Sequence, residues 1–149
     1  MKLTRAQPVM ASRPASGPDW VHEIKHDGYR MIARRDGPVV RLYGRNAYDW
    51  TASLLVITSA AERIKARSFT IEGAAVVLGP DGLARFEDLR RREAARTAIL
   101  YAFDLIEHNG EDLRNLPLLD RKAALARLRE TKAGIVLNEL VAEDGSYGV

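Results

Sequence analysis

The chain has 149 residues, 46% of them hydrophobic and 29% charged, which is enough for one domain with an apolar core and excludes a chain disordered throughout. It has no cysteine, which excludes disulfides, thiol catalysis and cysteine-bound zinc. The 23 Lys and Arg against 20 Asp and Glu leave a net charge of +3, which permits a polyanionic partner without demanding one.

The first segment holds Pro8, Pro14 and Pro18 among Ser, Ala and Gly, and predicts an extended strap over residues 1–19. Residues 20–149 form the folded part. Short strands are expected over residues 21–25, 29–34 and 39–43, with Asp27-Gly28 and Asp36-Gly37 as the turns of an antiparallel meander. Residues 51–65 read as a helix with Leu54, Leu55, Ile57, Ala61 and Ile64 facing inward. A strand is expected next over 69–78, ending in a Gly-Pro-Asp-Gly turn. Residues 86–96 suggest a short charged helix. There Arg90, Arg91 and Arg92 interleave with Glu87, Asp88 and Glu93, which suits solvated ion pairs better than a DNA-contact patch.

A buried strand is expected over 98–106, ended by His108-Asn109-Gly110. Pro117 then opens a helix to about residue 130, with Leu118, Leu125 and Leu128 on one face, and a last strand covers 135–141. Because strands and helices do not alternate regularly, the expected class is α+β, with antiparallel sheets and flanking helices. No stretch approaches membrane-spanning length and residues 1–11 lack a signal-peptide apolar run, so a cytoplasmic protein away from membranes is expected. His22, His26 and His108 lack metal-ligand spacing, and there is no glycine-rich phosphate loop.

The segment richest in chemistry runs from Trp20 to Arg30. Lys25 ends a short apolar strand just before the Asp27-Gly28 turn, and Arg30 opens the return strand. Two cations brought close in a hairpin favour an anion between them, and a triphosphate is such an anion. A lysine amine is nucleophilic only when neutral. With a reference pKa of about 10.4, losing its proton near pH 7 costs roughly 4–5 kcal/mol, a cost that burial and a neighbouring guanidinium lower. By itself Lys-x-Asp-Gly is common, and a charged hairpin is its ordinary reading.

The longer match is more specific. Glu23-Ile-Lys25-His-Asp27-Gly28-Tyr-Arg30 resembles motif I of the ATP-dependent DNA ligases, a family akin to RNA ligases and mRNA-capping enzymes. Val40 to Trp50, with Arg45, resembles the next family block. Phe69-Thr-Ile-Glu72-Gly73-Ala74 resembles motif III, and Tyr101-Ala-Phe103-Asp104-Leu105 resembles motif IIIa. The segment from Asn109 to Lys122, with Asp-Leu-Arg and Pro-Leu-Leu-Asp-Arg-Lys, resembles the stretch just after motif IIIa in bacterial end-joining ligases.

The resemblance implies a nucleotidyltransferase (ATP-grasp-like) adenylation domain. Lys25 would take AMP from ATP. Glu23 matches the adenine-contacting position, Arg30 and Arg45 match contacts to the nucleotide or the DNA 5′-phosphate, and Phe103 matches the residue stacked on adenine. It also implies ATP and Mg2+ as cofactors and nicked or broken duplex DNA as partner. One departure falls in motif III, where the family reads Asp-Gly-Glu and this chain reads Glu72-Gly73-Ala74. On a strand residues 72 and 74 share a face roughly 7 Å apart, so Glu72 would reach part of the way toward the missing contact. The family's later motifs, an acidic metal-binding block and a lysine pair, and its oligonucleotide-binding domain are not seen in these residues. The chain therefore reads as an adenylation-domain fragment. The alternative is an impaired remnant that binds a nucleotide or DNA end, or that joins a complementing polypeptide or a second copy through exposed sheet edges.

Overall fold

The structure, a computed structural model, describes residues 21–23, 28–83, 85–129, 133–137, 140–142 and 147–148. The expected strap over residues 1–19 and Lys25 lie outside the described residues. In chain order the elements are β1 (Val21–Glu23), β2 (Tyr29–Asp36), β3 (Val39–Tyr43), a 3-10 turn (Arg45–Ala47), α1 (Leu55–Glu62) and β4 (Ser68–Val76). A second 3-10 turn (Phe86–Arg90), α2 (Arg92–Ala95), β5 (Ile99–His108), β6 (Glu111–Asp112), α3 (Leu118–Arg129), β7 (Ile135–Leu137), β8 (Leu140–Ala142) and β9 (Tyr147–Gly148) come after them. They fall into two compact units, one drawn from Met1–Lys25 and Asn138–Val149, the other from His26–Leu137.

In the smaller unit β8 lies between β1 and β9, antiparallel to both, so β1 pairs with β8 rather than joining β2 in the expected meander. The larger unit is built on a sheet of order β3-β2-β4-β5-β6, with β7 added beside β5. The β2–β3 hairpin turns at Asp36-Gly37, where Gly37 takes φ +60. β2 then pairs with β4 along its whole length, from Tyr29 opposite Ala75 to Asp36 opposite Ser68. Strand alternation puts Met31, Ala33, Leu42, Phe69, Ile71, Ala75, Leu100 and Ala102 in the core, which Leu54, Ile57, Ala60, Ala61 and Ile64 of the α1 region complete. Each large side chain so buried contributes about 1.5–3 kcal/mol. On β2 and β4 the intervening positions carry Arg30, Arg34, Thr70, Glu72 and Ala74.

The class is α+β, as expected, with one addition. β7 runs parallel to β5, because α3 carries the chain back across the sheet between them. Other expectations shift. α1 begins at Leu55 rather than near residue 51, because Thr51 is held outside it, its hydroxyl accepting the Leu42 amide at 2.9 Å. Leu55, expected inside, is exposed, since one residue past Leu54 turns it about 100° away from the buried stripe. The charged helix over 86–96 is a 3-10 turn and a short α-helix, separated at Arg91, whose ψ of 124 is extended. The single strand expected over 135–141 is two strands in different units. Leu118, expected on the inner face of α3, is 36% exposed, and Lys122, one turn along, is buried instead. Among the described residues no helix is long and apolar enough to cross a membrane.

Candidate active site

The polar face of β2, β4 and β5 is set by register. Arg30 lies opposite Ala74, and Ile32 lies opposite Glu72. Alanine leaves nothing polar directly across from Arg30, and the guanidinium leans diagonally instead, Nη2 donating to Glu72 Oε2 at 2.9 Å. Glu72 is 2% exposed and Arg30 30%, so the pair is sealed on the carboxylate side and open on the cation side. Glu72, expected to reach part of the way toward the contact that Ala74 lacks, pairs with Arg30.

Gly73 pairs with Ala102 across β4 and β5. A Cβ there would lie 2.6 Å from the Tyr101 carbonyl oxygen and 2.9 Å from the Leu100 side chain, so this middle position of the motif admits no side chain. Gly28 is similarly confined, with only 2.4 Å between a Cβ and Val76 Cγ1. The glycine of Lys-x-Asp-Gly thus lets the chain enter β2 pressed against β4.

Opposite Gly73 the β5 register breaks. Glu72 faces Asp104, the next residue Gly73 faces Ala102, and Phe103 is the extra residue of a β-bulge. A bulge re-aims its side chains. The Phe103 ring, half-buried, has the Arg30 guanidinium 5.4 Å and the Lys122 ammonium 5.9 Å from its centroid, both within cation–π range. Lys122 Nζ also donates to the Phe103 carbonyl. Thus Arg30, Glu72 and Phe103, far apart in sequence, meet on one face.

Arg45 does not join them. It is exposed in the 3-10 turn after β3, and among the described residues it shares no hydrogen bond or ion pair with those three. The turn is strained, with Asn46 at φ 58 and Ala47 at φ 59, the left-handed region that costs a non-glycine residue roughly 1–2 kcal/mol. It is pinned by the Gly44 amide to the Tyr48 carbonyl at 2.8 Å and by Trp50, whose ring meets Tyr48 and Tyr29 edge-on at 5.2 and 5.7 Å. Beside it the Thr51 hydroxyl and amide donate to Asp49 and hold its carboxyl below the usual range, with Arg41 adding a smaller pull. Glu23 pairs with Leu140 in the smaller unit, and its side chain, like Lys25, lies outside the described residues.

Lys122 and the Asp104–Arg121 pair were missed by sequence reasoning. Lys122 stands four residues after Leu118 and three before Leu125, on the stripe assigned to the core, where a lysine ordinarily reads as a side chain reaching back to water.

Residues 4–143 match the family model described as the ATP dependent DNA ligase domain. The chain belongs to that family. It is 37% identical over 124 residues to a multifunctional non-homologous end joining protein LigD of Pseudomonas aeruginosa, covering 81% of this chain and 15% of that protein. It is 35% identical over 139 residues to the bifunctional LigD of Bacillus subtilis, covering 82% and 23%, and 37% identical over 141 residues to a probable DNA ligase of Streptomyces griseus, covering 82% and 27%. The crystal structure of the ligase domain from M. tuberculosis LigD superposes with a TM-score of 0.68 at 27% identity, over 84% of this chain and 41% of that one. A mycobacterial DNA ligase D complexed with ATP and MES gives 0.66 at 26% identity, again over 84% and 41%. The chain thus spans about a quarter or less of these curated relatives and under half of the solved domains.

Proposed function

We propose that this ligase domain carries the nucleotide-binding face of an adenylation site, and that Lys25 takes AMP from ATP. The Lys25 nitrogen, having lost a proton, bonds to the α-phosphorus. The bond from that phosphorus to the bridging oxygen breaks, and pyrophosphate leaves. In the complete enzyme the lysyl-AMP would activate a 5′-phosphate at a nicked or broken duplex. The observation that carries this reading is the meeting of Arg30, Glu72 and Phe103 on one face of the sheet. Phe103 offers a ring to the adenine, a contact worth about 0.5–1.5 kcal/mol beyond buried area. Arg30, anchored by Glu72, presents a fixed cation to phosphate oxygens. Glu23 would contact the adenine, and Arg45, on its rigid turn, the nucleotide or the DNA 5′-phosphate.

The donor set fits the nucleotide better than a metal. Among the described residues no three His, Cys, Asp or Glu side chains converge. A magnesium ion would enter on the phosphates rather than in a protein cage. Its chemistry, when bound, is to offset phosphate charge.

One observation favours a second reading. Ala74 stands where the family motif has a glutamate, which suits a nucleotide- or DNA-end-binding module with impaired catalysis that joins another polypeptide or a second copy.

Intact-mass analysis after incubation with ATP and Mg2+ separates the two. One added AMP on the parent chain, absent from Lys25→Ala, is the expected result. No adduct on either would leave the binding-module reading.

A further inference from the structure

Two successive residues of α3 grip two successive residues of the β5 bulge. Lys122, 6% exposed, sends its ammonium to the Phe103 carbonyl and stands 5.9 Å from the Phe103 ring centroid. Arg121 forks onto Asp104, Nε to Oδ1 at 2.8 Å and Nη2 to Oδ2 at 3.3 Å, both side chains mostly buried at 17% and 13%. The third guanidinium nitrogen, Nη1, donates to the Leu116 carbonyl at 2.7 Å, tying the same clamp to the entrance of α3. A bulged residue falls outside the regular ladder, so its orientation depends on what else holds it. Here a bidentate ion pair and a lysine supply that hold. Core packing does not call for a buried ammonium at this place, since Leu125 and Leu128 already fill the apolar side of the helix.

We propose that Arg121 and Lys122 are positioning residues: they fix the Phe103 bulge so that the ring keeps one tilt between Arg30 and Lys122, and thereby set the affinity for the purine. The inference rests on the reading that Phe103 stacks on the base. It adds that the stacking surface is held by α3 rather than by the sheet alone. A cation that acts through Phe103 affects ligands with a base and spares ligands without one.

The test uses the full chain and two probes, adenosine and inorganic tripolyphosphate, bound separately in a calorimeter. In Lys122→Met, adenosine binding falls roughly three- to tenfold, the value of one aromatic contact, while tripolyphosphate binding stays within about twofold. Lys122→Arg, which keeps a cation at the site, restores adenosine binding. Should Lys122→Met melt early, Arg121→Lys loosens the Asp104 clamp without removing charge and supplies the same comparison. Equal losses for both probes, or no loss for either, would overturn the positioning role. Phe103→Leu separates this from the parent reading. If Phe103→Leu weakens adenosine and the α3 variants do not, positioning alone fails. If the parent chain binds no adenosine, or Phe103→Leu leaves binding unchanged, the stacking reading fails and the inference with it.

Discussion

The two faces of the central sheet are made from the same strands and obey different rules. The core face is uniform: Met31, Ala33, Leu42, Phe69, Ile71 and Ala75 are all apolar and buried, and strict alternation along β2, β3 and β4 delivers them. On the other face Arg30, Glu72 and Phe103 meet through a diagonal ion pair and a bulge that breaks the alternation. One face rests on many interchangeable dispersion contacts, the other on a few directed ones. Stability should therefore depend mainly on the first and ligand binding mainly on the second.

The sharpest attempt to break that division is Phe69→Ala on the core face. It should cost about 3–5 kcal/mol in denaturant unfolding, because a ring-sized cavity opens among side chains with no room to collapse. Glu72→Gln comes next. It should cost about 1–3 kcal/mol of stability, discounted because Arg30 is nearly a third exposed, and it should weaken ATP binding by freeing the guanidinium. Unchanged ATP affinity in Glu72→Gln would remove Glu72 from the site. Ala47→Gly should instead stabilise by roughly 0.5–1 kcal/mol, the left-handed strain relieved less the extra entropy of glycine, read as a raised melting temperature.

The smallest effect lies away from both faces. Hydrogen bonds from Arg114, side chain and then backbone, hold the Asp112 carboxyl down at about 2. A carboxyl lowered on folding contributes stability that is full above its ordinary pKa of about 3.9 and is lost as pH falls through the folded value. Asp112→Asn should flatten the pH dependence of stability between about pH 4 and 2, and should leave nucleotide binding unchanged.

The same division governs how much of the molecule was legible in the sequence. The strands of the core face were legible as short apolar runs over residues 29–34, 39–43 and 69–78 bounded by turn signals, while which of their residues face inward was not read. The turns at Asp36-Gly37 and Asn109-Gly110 were legible because each needs positive φ at its glycine. Arg30, Glu72 and Phe103 could be named from motif order, but their meeting could not be foreseen. It depends on Phe103 being the extra residue of a bulge, and spacing alone does not locate a bulge. Lys122 was hidden for the opposite reason. A lysine on an inward stripe is ordinarily a long side chain reaching back to water, and only the tertiary placement of the Phe103 carbonyl shows otherwise. That β7 and β8 are separate strands was illegible because two short apolar strands in succession have the same alternation as one.

The most direct test of the central claim is an NMR titration of the full chain with ATP, tracking the Arg30 guanidinium, the Phe103 ring and the Lys122 side chain alongside the Phe69 ring and Ile71 methyls. Saturable shifts at Arg30, Phe103 and Lys122, with little movement of Phe69 and Ile71, are the predicted result. Shifts confined to exposed arginines such as Arg91 and Arg92, with Arg30 and Phe103 unmoved, would contradict it.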